Sequence, residues 1–245
     1  MSINISVTVI TVVKDAANDL EQTILSVLAL KTSYHIKIIV VDGGSKDNTL
    51  DIIRKYENNI FHWISENDAG IYDAMNKGWS AADSNSYILF LGAGDRLISL
   101  PTDLNLYKHN EIIYGDVYAG NNFKFKSRAG IVLKLYNSLH HQALMIPKML
   151  HPTPPFNIQF KVFADFDLNQ RLMKHGYCFV WSPLFYSYAL PGGASDEDHF
   201  EESLRVIYKN FGWLWAMLAL CCYVLIRYIP FLSALKPYKK IRSVD

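Results

Sequence analysis

"YILFLGAGDRL", residues 87–97, sends an unbroken apolar run into two glycines and a single carboxylate, Asp95. A short apolar run bounded by turn residues, with no polar alternation, is how a strand buried on both faces reads. An acid at the carboxyl end of such a strand stands where α/β proteins gather ligands, because the crevice of a parallel sheet opens past those ends. One carboxylate is enough for a divalent ion that bridges phosphates: Mg2+ takes one or two and fills its shell with phosphate oxygens and water. A turn or cap aspartate is the competing account.

Three further apolar runs, residues 5–13, 36–41 and 61–64, alternate with segments of helical period. Residues 1–95 therefore predict an α/β unit with a parallel sheet covered by helices on both faces. Asn18 with Glu21 reads as a capping box for the first helix, whose apolar stripe is Leu20, Ile24, Val27 and Leu28. The second follows "DGGSKDNT" and presents Leu50, Ile53 and Tyr56. The third turns Ile71, Met75, Gly78, Trp79 and Ala82 one way and Asp73, Asn76, Lys77 and Ser80 the other. A solvated face is the ordinary account of that polar stripe, but its mix of acid, amide and amine directly after "ENDAG" points to a ligand. Beyond Asp95, "EIIYGDVYAG" and "NFKFK" predict a hairpin around Gly120, Asn121 and Asn122. After the turn-rich "HPTPPFN", a helix is expected over about residues 165–175, with Phe166, Leu168, Leu172 and Met173 inward.

Lys plus Arg total 24 against 23 Asp plus Glu, so no basic field argues for nucleic acid. Cys178, Cys221 and Cys222 form neither a disulfide framework nor a zinc pattern, which suits a reducing compartment and makes the cytoplasm the expected location. The opening "MSINISVTVITVV" lacks a basic segment and a cleavage site and reads as a strand, not a signal peptide. At the other end, "FGWLWAMLALCCYVLI", residues 211–226, carries no charge but falls short of the roughly 20 residues of a spanning helix. Flanking aromatics with Lys236, Lys239, Lys240 and Arg242 favour a helix lying in a membrane interface; a helix packed on the domain and a true span are the alternatives.

Asp15, Asp42, Asp68 and Asp95 all fall at strand ends or in the loops after them, where a doubly wound sheet gathers its ligand groups. Asp42, followed by Gly43 and Gly44, is suited to a ribose or base edge approached closely by backbone. No G-x-G-x-x-G loop follows the first strand, against a dinucleotide dehydrogenase. Taken singly, each aspartate is as able to cap the next helix. Asp165 and Asp167 open the later helix two residues apart, so they do not share a face: one caps, the other is free to act as a general base. His140 and His141 are reactive candidates without metal-ligand spacing, and a histidine beside an apolar strand is more often structural.

In order, "IVVDGGSKDNTLDIIRKY", "WISENDAGIYDAMNKGWSAA", "YILFLGAGDRL", "HHQAL", "ADFDLNQRLMKHGY" and "LPGGAS" resemble the family 2 inverting glycosyltransferases of GT-A fold. The likeness covers roughly residues 5–200 and is strongest to the branch that builds bacterial surface polysaccharides, which includes a fucosyltransferase of colanic acid synthesis. It implies a GT-A domain over 1–205, with a nucleotide-sugar half (1–95) and an acceptor and base half (96–205), and a helical apolar-basic tail over 206–245. By position, Thr11, Asp15 and Asp42 resemble the groups that hold base and ribose. Asp68, Asp73, Asn76 and Lys77 resemble the donor-side segment, and Asp95 the metal ligand for Mg2+ or Mn2+. Asp165 matches the catalytic base, with Asp167 as substitute; His141, Gln142, Gly192 and Gly193 match the acceptor and phosphate side. Lys14 and Asp15 replace a more usual Tyr and Asn, and Gly94 stands where a first acid is common.

The expected activity is transfer of a sugar from a nucleoside-diphosphate sugar to a polyprenyl-diphosphate-linked saccharide, as in O-antigen, capsule or exopolysaccharide synthesis. The expected setting is the inner face of the cytoplasmic membrane, with peripheral attachment through the tail. A sugar nucleotidyltransferase competes, although it would carry a Gly-rich phosphate loop where this chain has "TVVKDAAND". A nucleotide- or sugar-binding subunit without activity, its metal site lost at Gly94, is the alternative outside the enzymes.

Overall fold

The computed structural model describes residues 6–120, 123–151, 153–192, 199–228 and 238–240. β1 (Ser6–Val13) is buried along nearly its whole length, so it needs neighbours on both edges and both faces. It pairs in parallel with β2 (Ile36–Asp42) on one side and β4 (Ser86–Gly92) on the other, and β3 (His62–Ser65) extends the sheet beyond β2 in the same direction. Past β4 the direction reverses. β8 (Leu144–Pro147) runs antiparallel to β4 and to β6 (Ile112–Ala119), and β7 (Phe123–Phe125) and then β10 (Tyr238–Lys240) follow, each antiparallel to its neighbour. The expected hairpin forms between β6 and β7, its Asn121 and Asn122 lying outside the described residues. β9 (Phe179–Ala189) runs parallel to β6 and takes β5 (Arg96–Ser99) antiparallel on its own edge. Gly115 permits that approach, since a Cβ there would meet the Phe185 carbonyl oxygen at 1.8 Å. Among the described residues the result is a ten-stranded mixed sheet.

One face is covered by α1 (Ala17–Leu28) and α2 (Thr49–Lys55), through Leu20, Ile24 and Ile53. The other carries α3 (Ile71–Ala81), α4 (Ala164–Lys174) and α5 (Phe200–Phe211), through Met75, Trp79, Phe166, Val206 and Ile207. α3 lies almost on the strands because Gly78 has no side chain: a Cβ would sit 2.3 Å from Cγ2 of Ile10. Trp79 fills the space beside it, stacked on Phe90 at 6.1 Å.

Local expectations fail in instructive places. The capping box at Asn18 and Glu21 does not form: α1 begins at Ala17, so Asn18 is already inside the helix. Its first N–H groups are satisfied from the loop before α2, Ala16 donating to Thr49 Oγ1 (3.2 Å) and Ala17 to Asp47 Oδ2 (3.1 Å). Leu28 and Ile71 are exposed, and Tyr72 takes the inward place at the first turn of α3.

The tail has two parts. α5 runs through the expected boundary at 205/206, with Val206 and Ile207 fully buried. Gly212, at φ 83°, then turns the chain into α6 (Trp213–Tyr228), which folds back so that Tyr223 stacks on Phe200 at 3.7 Å. Among the described residues no helix is long and apolar enough to cross a membrane.

Candidate active site

Asp42 ends β2 opposite Val13, and Gly92 ends β4 opposite Val12, so the loops after both strands leave the same end of the sheet. Asp42 is fully buried. Its carboxylate accepts the Ser45 N–H at 3.2 Å and the Ser65 hydroxyl at 2.6 Å, tying β2 to β3. The glycines after it serve a close approach, made by the next loop: a Cβ on Gly43 would lie 2.3 Å from Asp68 Oδ2, and one on Gly44, at φ 79°, 2.5 Å from Asn67 Oδ1. Asp15 joins the same cluster at φ 49°, an uncommon conformation for a non-glycine. Its N–H donates to Ser45 Oγ (2.7 Å) and its Oδ1 accepts from Lys46 N–H (2.6 Å). Thr11 is buried in β1, its hydroxyl oxygen without a hydrogen-bond partner among the described residues.

The polar face of α3 splints the loops around it. Asn76 bonds both the N–H and the C=O of Phe156, each at 2.9 Å. Lys77 reaches Glu66 at 2.8 Å and the Asn67 carbonyl at 2.9 Å, while Asp73 accepts the Ala69 N–H at 3.0 Å. Between these residues and Phe156, Asn157 and Ile158 lies a groove of about 400 Å³.

Asp95 is 5% exposed in the turn after β4. Its Oδ2 accepts the Gly92 N–H (2.8 Å) and its Oδ1 the Leu190 N–H (2.9 Å) from beyond β9, which fixes the carboxylate's plane. Burial pushes its carboxyl above the usual carboxylate range, against the pull of His141 and of bonds from Leu190, Gly92 and Gln142. Gly94 has a structural reason. It sits at φ 92°, where a side chain strains the backbone, and a Cβ would lie 2.4 Å from Cδ2 of Leu190, so an acid here would also have to displace that side chain. Among the described residues no three histidines, cysteines or acids gather into a metal cage. A lone hard oxygen ligand of this kind fits a Mg2+-like ion whose shell is completed by phosphates and water.

Asp165 occupies the first turn of α4, 7% exposed. Oδ1 accepts the Phe166 N–H at 2.7 Å and lies 3.2 Å from the Tyr72 hydroxyl; Oδ2 lies 3.4 Å from His141 Nδ1. His141 thus stands between Asp165 and the field of Asp95. Asp167, two residues on, points the other way: fully buried, it accepts from Arg171 (2.9 Å), Lys209 (3.1 Å) and Asn210 (3.1 Å) and bolts α4 to α5. Asp165 itself satisfies one first-turn donor, the Phe166 N–H, while Glu202 of α5 holds the approach to the helix, accepting the N–H groups of Lys161 (3.2 Å), Val162 (2.8 Å) and Phe163 (2.8 Å). His140 packs edge-on against Phe125 at 4.1 Å. Gly192 adopts φ 96°, and Gly193 lies outside the described residues.

Tyr72 and Glu202 escape a reading of the sequence alone. Tyr72 neighbours the apolar stripe and carries no acid or base to draw notice, and Glu202 caps a segment about forty residues away, a pairing without local signal.

Parallel strands whose carboxyl ends carry Asp42 and Asp95, joined to an antiparallel half that brings Asp165 towards them through His141, define the GT-A class of α/β folds. The family model described as glycosyl transferase family 2 matches residues 8–144, more than half of the chain. The chain belongs to that family. A PGL/p-HBAD biosynthesis glycosyltransferase of Mycobacterium bovis is 32% identical over 163 residues, covering 62% of this chain and 63% of the relative. An uncharacterized glycosyltransferase of Mycobacterium tuberculosis is 38% identical over 91 residues, covering 37% of this chain and 34% of the relative. The chain thus spans less than two thirds of the curated relatives it matches. They are mycobacterial, so the colanic acid branch expected from the motifs is not singled out. Among solved structures, TarS 1–349 of S. aureus aligns with a TM-score of 0.60 at 17% identity, over 84% of this chain and 65% of that one. Mannosyltransferase PcManGT of Pyrobaculum calidifontis, solved with GDP-Man and Mn2+, aligns at 0.58 and 15% identity, over 94% and 78%. At such identity these likenesses speak for the fold alone.

Proposed function

We propose that the chain is an inverting glycosyltransferase that moves a sugar from a nucleoside-diphosphate sugar to a saccharide hydroxyl, the acceptor being carried on a polyprenyl diphosphate. The observation that carries this reading is Asp165: a buried carboxylate with Oδ1 engaged and Oδ2 turned towards His141, on the side of Asp95. In a single displacement, Oδ2 takes the proton of the acceptor hydroxyl while that oxygen bonds to the anomeric carbon. The nucleoside diphosphate leaves from the opposite face with the bonding electrons, so the configuration inverts. The proton ends on Asp165, and no sugar–enzyme bond forms.

Asp15, Asp42 and Asp68, with Thr11 beneath them, make the nucleoside side. Asp73, Asn76 and Lys77 act on it by holding the loops 66–70 and 154–158 in place. His141, Gln142 and Gly192 line the acceptor and phosphate side, to which Gly193 is assigned by its place in the sequence motif alone. Asp95 is the protein ligand for Mg2+ or Mn2+, an ion that, when bound, supplies positive charge to the diphosphate leaving group.

A nucleotide-release screen across UDP-, GDP- and dTDP-sugars with Mn2+ tests the activity. Release from one donor class, increased by a saccharide acceptor, is the expected result. Tight nucleotide binding without turnover on any donor and acceptor would replace the transferase by a binding subunit. Diphosphate formation from a nucleoside triphosphate and a sugar phosphate would replace it by a nucleotidyltransferase.

The setting we propose is the cytoplasmic face of a membrane, with α6 in the lipid interface. Trp213, Leu214, Met217, Leu218 and Leu225 are exposed along the helix, and the chain beyond it carries Lys236, Lys239, Lys240 and Arg242. The full chain should sediment with vesicles containing phosphatidylserine and be released by salt. A chain ending at Phe211, which keeps α5 whole, should stay in the supernatant; sedimentation of both alike removes α6 from the proposal.

A further inference from the structure

Tyr72 reaches from the first turn of α3 into the packing beneath α4, where its hydroxyl lies 2.5 Å from the Val162 carbonyl oxygen and 3.2 Å from Oδ1 of Asp165. The ring is 6% exposed and packs against Phe156 at 5.3 Å, so water does not compete for these contacts. Burial first, and the charge of Asp165 next, hold the tyrosine proton on well above the ordinary range, so the group stays a neutral donor. The carbonyl it meets belongs to a segment that Glu202 holds by the N–H groups of residues 161–163.

We infer that Tyr72 is a positioning residue for Asp165: its hydroxyl, whose one proton is shared between the Val162 carbonyl and Oδ1, sets the plane of the carboxylate so that Oδ2 keeps a lone pair aimed at the acceptor. The inference rests on the base role proposed for Asp165. A carboxylate turns about its last torsion in a broad well, so packing alone does not fix the plane in which its lone pairs point. A general base must bring one lone pair within hydrogen-bond reach of the proton it takes. On Oδ1 the Phe166 N–H and the Tyr72 hydroxyl bracket the oxygen from the chain and from α3; Oδ2 is left facing His141.

The experiment is a double-mutant cycle on the full chain with Tyr72→Phe, Asp165→Asn and both together. It reads nucleotide release to water from whichever of UDP-glucose, UDP-N-acetylglucosamine, GDP-mannose and dTDP-rhamnose turns over fastest, with Mn2+ present. Tyr72→Phe should lower kcat by roughly 10- to 100-fold, as expected for a misaimed base, with donor KM unchanged within about twofold. In the Asp165→Asn background it should cost less than about twofold, because the group it acts through is gone. An unchanged kcat in Tyr72→Phe overturns the inference while leaving Asp165 as base. So does an equal loss in both backgrounds, which would make the hydroxyl a support of the fold. An Asp165→Asn variant at full rate overturns the base reading itself. Melting curves of all four proteins ensure that the rates compared come from folded chains.

Discussion

Asp165→Asn leaves donor affinity within about threefold and lowers kcat by roughly 10²- to 10⁴-fold, the range expected when a positioned general base is lost. The substitution is nearly isosteric, and its carbonyl oxygen still accepts from the Phe166 N–H and from the one Tyr72 proton that it shares with the Val162 carbonyl, as Oδ1 does now. The first turn of α4 therefore keeps its shape, and Glu202 continues to satisfy the N–H groups that lead into it. What disappears is the basic lone pair beside His141: an amide nitrogen donates and does not take a proton. Donor binding is read by calorimetry with the unreactive nucleoside diphosphate, and turnover by nucleotide release. A rate within about threefold of the parent would end the role of Asp165. Asp167 could not inherit it, because three donors from two helices hold it, fully buried, on the opposite side of α4.

Asp95→Asn is expected to cut nucleotide release by about 100-fold or more and to leave a residual rate that neither Mn2+ nor a chelator changes. The asparagine has one acceptor oxygen for two N–H donors, Gly92 and Leu190, so one of them faces an amide nitrogen instead. That lost bond costs about 1–3 kcal/mol in a buried turn. For a chain of this size the melting temperature should fall by roughly 2–12 °C, small enough for the enzyme to be assayed folded. The two effects separate by titration. A damaged turn lowers the rate at all Mn2+ concentrations alike, whereas a lost ligand removes the Mn2+ response. A variant that retains the parental Mn2+ dependence would take Asp95 out of the metal site.

The first half of the chain was legible because its signals are local. Residues 36–41 and 87–91 read as strands from composition alone, and β2 and β4 extend them by a residue at most at either end. Asp42, Asp95 and Asp165 stood out because each sits at an element's end, where backbone geometry forces its side chain towards the crevice or the first helical turn. The second half depends on pairings between distant segments, such as β6 with β9 and β5 with β9, which no periodicity announces. The same limit hid the Tyr72 contact, made across 93 residues. Gly94 shows the opposite error. As a letter it looked like a missing acid, whereas its φ and the Leu190 side chain make glycine the residue that the turn demands. Asn18 misled for a smaller reason: a capping pattern shifted by two residues into the helix no longer caps.

α5 has a practical bearing on where this chain can be shortened. The expected border at 205/206 falls inside α5, and a cut there would strip Lys209 and Asn210 from Asp167 and leave its buried charge to Arg171 alone. It would also remove Val206 and Ile207 from beneath α4 while keeping a stump of helix that carries Glu202. The turn at Gly212 is the better place to divide the chain: a cut there keeps every bond of α5 to α4, and what it bares is the apolar surface on which Trp215, Ala216 and Ala219 of α6 pack.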